Sequence, residues 1–199
     1  MGASEEHIAF YKELGLAVTQ WAQLEMSLFH LLCTCFNRSQ YSVVYSGFIS
    51  MEGFRAKLRF VSNVFCQHIT DTAHLADWRK ADAKLESLSR SRNKLAHWRQ
   101  HIYTGSPIGR RYALVPWALE PKTITQKESM RPPSGALCVR DINSIRFNFF
   151  AVNVALVNLR CRILHVAEAV DKSAETPLKP LTLAQMSKDI RTLVNGTAA

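Results

Sequence analysis

The chain has 199 residues, 47% of them hydrophobic, with only 8 Gly and 7 Pro. That length supports one substantial core and argues against two, and the apolar content excludes a chain disordered throughout. Lys and Arg number 25 against 16 Asp and Glu, a net charge of +9, which favours a polyanionic partner but says nothing about fold.

No targeting segment is expected, because Glu5 and Glu6 stand where a secretory signal needs positive charge. The longest apolar run, Phe147 to Leu159, holds Asn148, Asn153 and Asn158 and meets Arg160. It reads as too short and too polar to span a bilayer, so no membrane partner is expected. The five cysteines, Cys33, Cys35, Cys66, Cys138 and Cys161, are odd in number and form no C-x-x-C pair. Neither a disulfide framework nor a zinc site is indicated. The expectation is a cytoplasmic protein with reduced thiols, no metal and no cofactor.

Ser4, followed by Glu5 and Glu6, marks a helix start. Tyr11, Leu14, Val18, Trp21, Leu28, Leu32 and Cys35 then recur at spacings of three and four. They predict one face of a helix of about 30 residues, roughly 45 Å long. The slot they skip is Glu25, a carboxylate in an apolar seam, which needs a partner. A second helix is predicted from about Gln40 to Phe48, and a third from Met51 to about His68, with Phe54, Leu58, Val61 and Phe65 on one face. After a loop at Thr70–Thr72, a fourth runs from about Ala73 to Trp98 with the stripe Trp78, Ala81, Leu85, Leu88, Arg92 and Leu95. Arg92 is the charged member of that seam, and a buried Glu25–Arg92 ion pair accounts for both anomalies.

From His101 to Trp117 the pattern changes. His101–Tyr103 and Tyr112–Val115 are strand-like, and Gly105-Ser106-Pro107-Ile108-Gly109 is turn chemistry. Residues 120–135, with Pro121, Pro132, Pro133 and Gly135, read as a loop. Asp141 opens the last long helix, with the seam Ile142, Ile145, Phe149, Val152, Leu156, Leu159, Ile163, Val166 and Val170. Beyond Pro177 and Pro180 a short amphipathic helix follows, capped by Thr182, carrying Leu183, Met186, Ile190 and Leu193 and stopped by Gly196. The predicted fold is mainly all-α: an antiparallel bundle of four to six helices with a short inserted β-hairpin. Residues 1–175 form the helical domain, with the hairpin at about 101–118, and 176–199 form the C-terminal helix and tail.

The chemistry points to mid-chain. No acidic residue lies between Glu86 and Glu120, while Arg90, Arg92, Lys94, Arg99, Arg110 and Arg111 do, interleaved with Trp98, Tyr103, Tyr112 and Trp117. Cations neutralise phosphates and aromatic faces stack on unpaired bases, so RNA is the expected partner. The bland reading of the same residues is a solvated basic face with core aromatics. Arg90, Lys94, Arg99, Arg110 and Arg111 are the candidate nucleic-acid contacts.

Within that stretch lies Arg92-Asn93-Lys94-Leu95-Ala96-His97. An Arg, four residues and a His near the end of a late helix, with Asn directly after the Arg, resembles the HEPN family (higher eukaryotes and prokaryotes nucleotide-binding domain). The resemblance covers residues of about 5–100 and 141–171. It implies a metal-independent endoribonuclease leaving a 2′,3′-cyclic phosphate, a toxin or defence component with a neutralising antitoxin partner, and a homodimer whose two motifs meet in one cleft. Some family toxins carry a modified Tyr two residues after the His; Arg99 stands there, so that regulation is not carried over. Arg160 and His165 repeat the spacing in the last helix, but Cys161 follows that Arg and the His lies among apolar residues.

In this reading His97 is the acid/base, since a near-neutral imidazole can move the 2′-hydroxyl proton. Arg92 offers a planar fork of donors to the charge building on phosphorus, and Asn93 orients His97 or the phosphate. Residues five apart lie about 140° apart around a helix, so Arg92 and His97 converge only if the helix loosens at its end or a second subunit contributes. Asn93 and His97, four apart, share a face. The second reading is a HEPN-like module that binds RNA, a nucleotide or a protein without cleaving.

Overall fold

The computed structural model describes residues 5–103, 105–106, 108–116 and 131–171, with side chains as far as His165. The chain divides into two units, Met1–His165 and Val166–Ala199. Of the second, only the backbone of 166–171 is described. The cap Ser4, Trp117, most of the 120–135 loop and the C-terminal helix at 182–196 lie outside the described residues.

The first unit is mainly helical. Its elements are α1 (Glu5–Leu32), two 3₁₀ turns (Cys33–Cys35 and Arg38–Gln40), α2 (Tyr41–Ser50), α3 (Phe54–His68) and α4 (Thr72–His97). Strands β1 (Arg99–Ile102), β2 (Tyr112–Val115) and β3 (Leu137–Cys138) follow, and then α5 (Val139–Asp171).

The α4 and α5 seams are buried as their periodicity demands. Trp78, Ala81, Leu85, Leu88 and Leu95 of α4 lie in one core with Ile142, Phe149, Val152, Leu156, Leu159 and Ile163 of α5. By length and composition alone, the longer stretch Val139–His165 that contains the run Phe147 to Leu159 is apolar enough to cross a membrane. Six of its side chains are buried in the bundle core, and 28% of its apolar window is buried.

The α1 seam differs from expectation. Tyr11 and Val18 are 46% and 53% exposed. The buried row is Phe10, Ala17, Trp21, Leu24, Leu28 and Leu31, with Leu14 packed against it. This row also steps by three and four and shares Leu14, Trp21 and Leu28 with the expected one, whose Leu32 is buried too; it departs by one position at Phe10, Ala17 and Leu24. Glu25 therefore flanks the seam and reaches Lys57 of α3, 3.6 Å away, each side chain roughly a quarter exposed. The expected Glu25–Arg92 pair is not formed.

Contacts fix the directions of the helices. Trp21 meets Phe54, Glu25 meets Lys57 and Phe36 meets His68, so α1 and α3 run parallel. Phe65 meets Trp78 and Arg55 meets Glu86, so α4 returns antiparallel to α3. Glu13 accepts hydrogen bonds from Asn143 and Arg146, and Trp21 meets Phe149, so α5 runs with α1. Asp77, near the start of α4, holds Arg162 of α5 at 2.8 Å, so these two are opposed.

The expected hairpin is formed by β1 and β2, and a third strand extends it to an antiparallel sheet of order β1-β2-β3. Arg99 pairs with Val115 and Ile102 with Tyr112; Ala113 pairs with Cys138 and Leu114 with Leu137. The added strand is two residues long and runs straight into α5, which leaves no alternating pattern to read. Asp141 accepts the Cys138 amide at 2.9 Å, so α5 begins two residues before the expected start. The sheet is tied to α1 at its tip: Glu6 Oε1 accepts the amides of Gly109 (3.0 Å) and Arg111 (2.8 Å). Gly109 has φ of 83°, a conformation that glycine adopts without strain.

Candidate functional site at the end of α4

Helix α4 is started by Asp71, whose Oδ1 accepts the His74 amide at 2.8 Å, a bond that holds the Asp71 carboxyl below its ordinary pKa. The helix remains α-helical to its last residue, with the Trp98 amide reaching Lys94 O at 3.0 Å. It does not loosen before His97. The α-carbons of Arg92 and His97 therefore project about 140° apart, while Arg90, Asn93 and His97 fall within an arc of about 60°. The seven-residue spacing of Arg90 and His97 made this shared face legible in the sequence, although the motif drew attention to Arg92.

The Arg92 side chain partly closes that gap. It is half-buried, and its Nη1 donates a long hydrogen bond to Asn93 Oδ1 at 3.4 Å. The guanidinium lies on the Asn93 side of the helix, and Glu25 is paired with Lys57. Asn93 lies one turn from His97, a spacing at which side chains are neighbours. Asn93 and His97 are both exposed.

The packing leaves this face open. Helix α3 begins level with Trp21 of α1 and Glu86 of α4. From Glu86, α4 continues eleven residues to His97, about 16 Å further. Arg90, Asn93 and His97 continue the row on which Glu86 meets α3, beyond where α3 starts. The matching flank of α1 is exposed at Ile8, Tyr11 and Val18. The result is a ledge between α1 and the end of α4, bounded by β1, where the Tyr11 hydroxyl hydrogen-bonds Gln100 Oε1.

Arg90, Lys94, Arg99, Arg110 and Arg111 are all exposed. Of the aromatics interleaved with them, Tyr103 and Tyr112 are not offered for stacking as expected, and Trp117 lies outside the described residues. Tyr103 is 1% and Tyr112 8% exposed, and burial pushes the Tyr103 hydroxyl's pKa up. The Tyr112 ring packs near His7 (5.1 Å) and Phe10 (6.0 Å). Trp98 is half-buried, with Lys94 Nζ 5.0 Å from its ring centre.

The second Arg-x4-His pair is built differently. Arg160 is half-buried, with its Nε enclosed and unpaired, and His165 is exposed. The Arg160 charge falls instead on His30 and Cys33 at the end of α1. Burial, and after it the Arg160 charge, holds the His30 imidazole below its ordinary pKa. Burial raises the Cys33 and Cys35 thiols despite Arg160 and the Thr34 hydrogen bond. Sequence inspection missed His30 because the contact joins helices 130 positions apart. Among the described residues no three His, Cys, Asp or Glu side chains gather as a metal site.

No protein-family model matches this chain, and neither a curated protein nor a solved structure matches it.

Proposed function

We propose that this chain is a metal-independent endoribonuclease of the HEPN type, acting as a toxin or defence component, with its site on the ledge at the end of α4. The observation that carries the reading is the Arg92 guanidinium turned to Asn93, toward the face of His97, and not consumed by Glu25. His97 removes the proton from a 2′-hydroxyl, whose oxygen attacks the adjacent phosphorus. Arg92, steadied by Asn93, stabilises the added negative charge. An imidazolium then gives a proton to the departing 5′-oxygen, leaving a 2′,3′-cyclic phosphate and a 5′-hydroxyl. A homodimer completes the site when the Arg92 of one copy faces the His97 of the other.

The test is cleavage of RNA in EDTA by the purified full chain. Cyclic-phosphate ends are expected. His97→Ala should lower the rate by about 10²-fold or more, and Arg92→Ala comparably, with thermal melting unchanged. Absence of cleavage, or undiminished cleavage by His97→Ala, would overturn the reading. The regular α-helix up to His97 favours a second one, an RNA-binding module without catalysis, which predicts retention of RNA with no new ends.

A further inference from the structure

The second row of α1 faces outward along the edge of the ledge. Ile8, Tyr11 and Val18 are 58%, 46% and 53% exposed, and Gly15, Thr19 and Ala22 are exposed with them. These six residues fall within an arc of about 100° over four turns. No charged residue stands between Glu13 and Glu25. The Thr19 hydroxyl is bonded back to Gly15 O at 3.0 Å, so even the one polar member is satisfied within the helix. Gly15 is the informative member. Glycine is the poorest helix former after proline, yet it stands in the interior of a 28-residue helix. A Cβ at Gly15 would meet nothing within 4 Å, so no contact inside the chain calls for its absence. A helix of another molecule crossing there does, because the missing side chain lets two axes approach to about 8 Å.

We infer that a second copy of this chain packs on this row, α1 against α1, antiparallel about a two-fold axis at Gly15. The inference deepens the nuclease reading, on which it rests for its consequence, by naming the surface that joins the two copies. The row is its own complement: Ile8 opposes the other copy's Ala22 and Tyr11 its Thr19, large against small, with Gly15 against Gly15. Two chains of net charge +9 repel except over an uncharged surface, which this row provides. Covering the row and the ledge beside it in both copies buries roughly 1,000 Å², where specific reversible interfaces begin.

The axis falls at the proposed site. Trp21 of α1 and Glu86 of α4 are level through Phe54 and Arg55 of α3. Because α1 and α4 run in opposite directions, Gly15 is level with Arg92, six residues from each reference, and His97 lies about 7.5 Å beyond. The antiparallel copy carries its own His97 to the same height on the other side. Each Arg92 is then as near in height to the other copy's His97 as to its own, and α4 need not loosen.

The experiment is sedimentation velocity of the full chain across a dilution series, up to about 100 µM, with melting followed at the lowest concentration. A reversible dimer is expected. Gly15→Lys sets two like charges face to face and should weaken it about 100-fold or more. The monomer's melting temperature should stay level or rise by a few degrees, since Lys is the better helix former. Leu16→Gln, on the same helix but about 100° round, should leave the dimer within twofold. Gly15→Cys should oxidise to a reducible dimer in excess of the unaltered chain's background, and Leu16→Cys should not. A chain that stays monomeric, a dimer untouched by Gly15→Lys, or equal weakening by Leu16→Gln overturns the inference. Cleavage of RNA by a chain still monomeric at about 100 µM would overturn the pairing and spare the nuclease reading. A Gly15-dependent dimer that leaves RNA uncut does the reverse.

Discussion

At the scale of single residues, the groups with altered acidity lie away from the ledge, and they make stability depend on pH. His30 is held below the ordinary imidazole pKa by burial first and by Arg160 second. The unfolded chain therefore binds a proton at this residue more readily than the folded one, at pH values between the folded pKa and about 6.5. The contribution of His30 is complete above about pH 6.5 and is lost as pH falls through the folded pKa. Melting temperature should decline as pH drops below about 6.5, and His30→Gln should flatten that decline. An unaltered decline in the variant would show that other groups cause it. The same surroundings keep Cys33 and Cys35 as protonated thiols at neutral pH.

At the scale of elements, α1 shows what periodicity reveals and what it conceals. Two rows on this helix, one through Tyr11 and Val18 and one through Phe10 and Ala17, both step by three and four. Hydrophobicity alone does not rank them, because the late start of α3 leaves apolar residues of the first row uncovered. The row through Leu24 is the buried one. Leu24→Ala should therefore cost about 2–5 kcal/mol in urea unfolding, and Glu25→Ala about 1 kcal/mol or less. The opposite order would restore the seam through Glu25. In α4 a single row was available, and its apolar members are buried as read. The motif spacing was also plain in the sequence. The turn of Arg92 toward Asn93 was not, because it depends on a side-chain rotamer that residue spacing does not set. Strand β3 was hidden by its brevity, and the burial of Tyr103 and Tyr112 by the sheet it completes.

At the scale of the whole molecule, the divergence of Arg92 and His97 around one helix makes assembly part of the proposed chemistry. In the composite site, inactive Arg92→Ala and inactive His97→Ala chains, mixed and allowed to exchange subunits, form a heterodimer with one intact Arg–His combination. Cleavage should return to about a quarter of the unmodified rate, since half the dimers are mixed and half of their sites are intact. No recovery would place both groups in one chain. The bundle also has a handed electrical character that side-chain counting overlooks. Three of its long helices, α1, α3 and α5, point one way and only α4 opposes them, so their peptide dipoles do not cancel. Where α1 and α5 begin and α4 ends, two positive half-charges outweigh one negative, leaving about half an elementary charge confined to the terminal turns, where Glu5, Glu6 and Asp141 complement it. On the proposed RNA reading, a polyanion meets a positive terminus there as well as Arg99, and dissolved salt should slow the encounter more than it shortens the complex's lifetime.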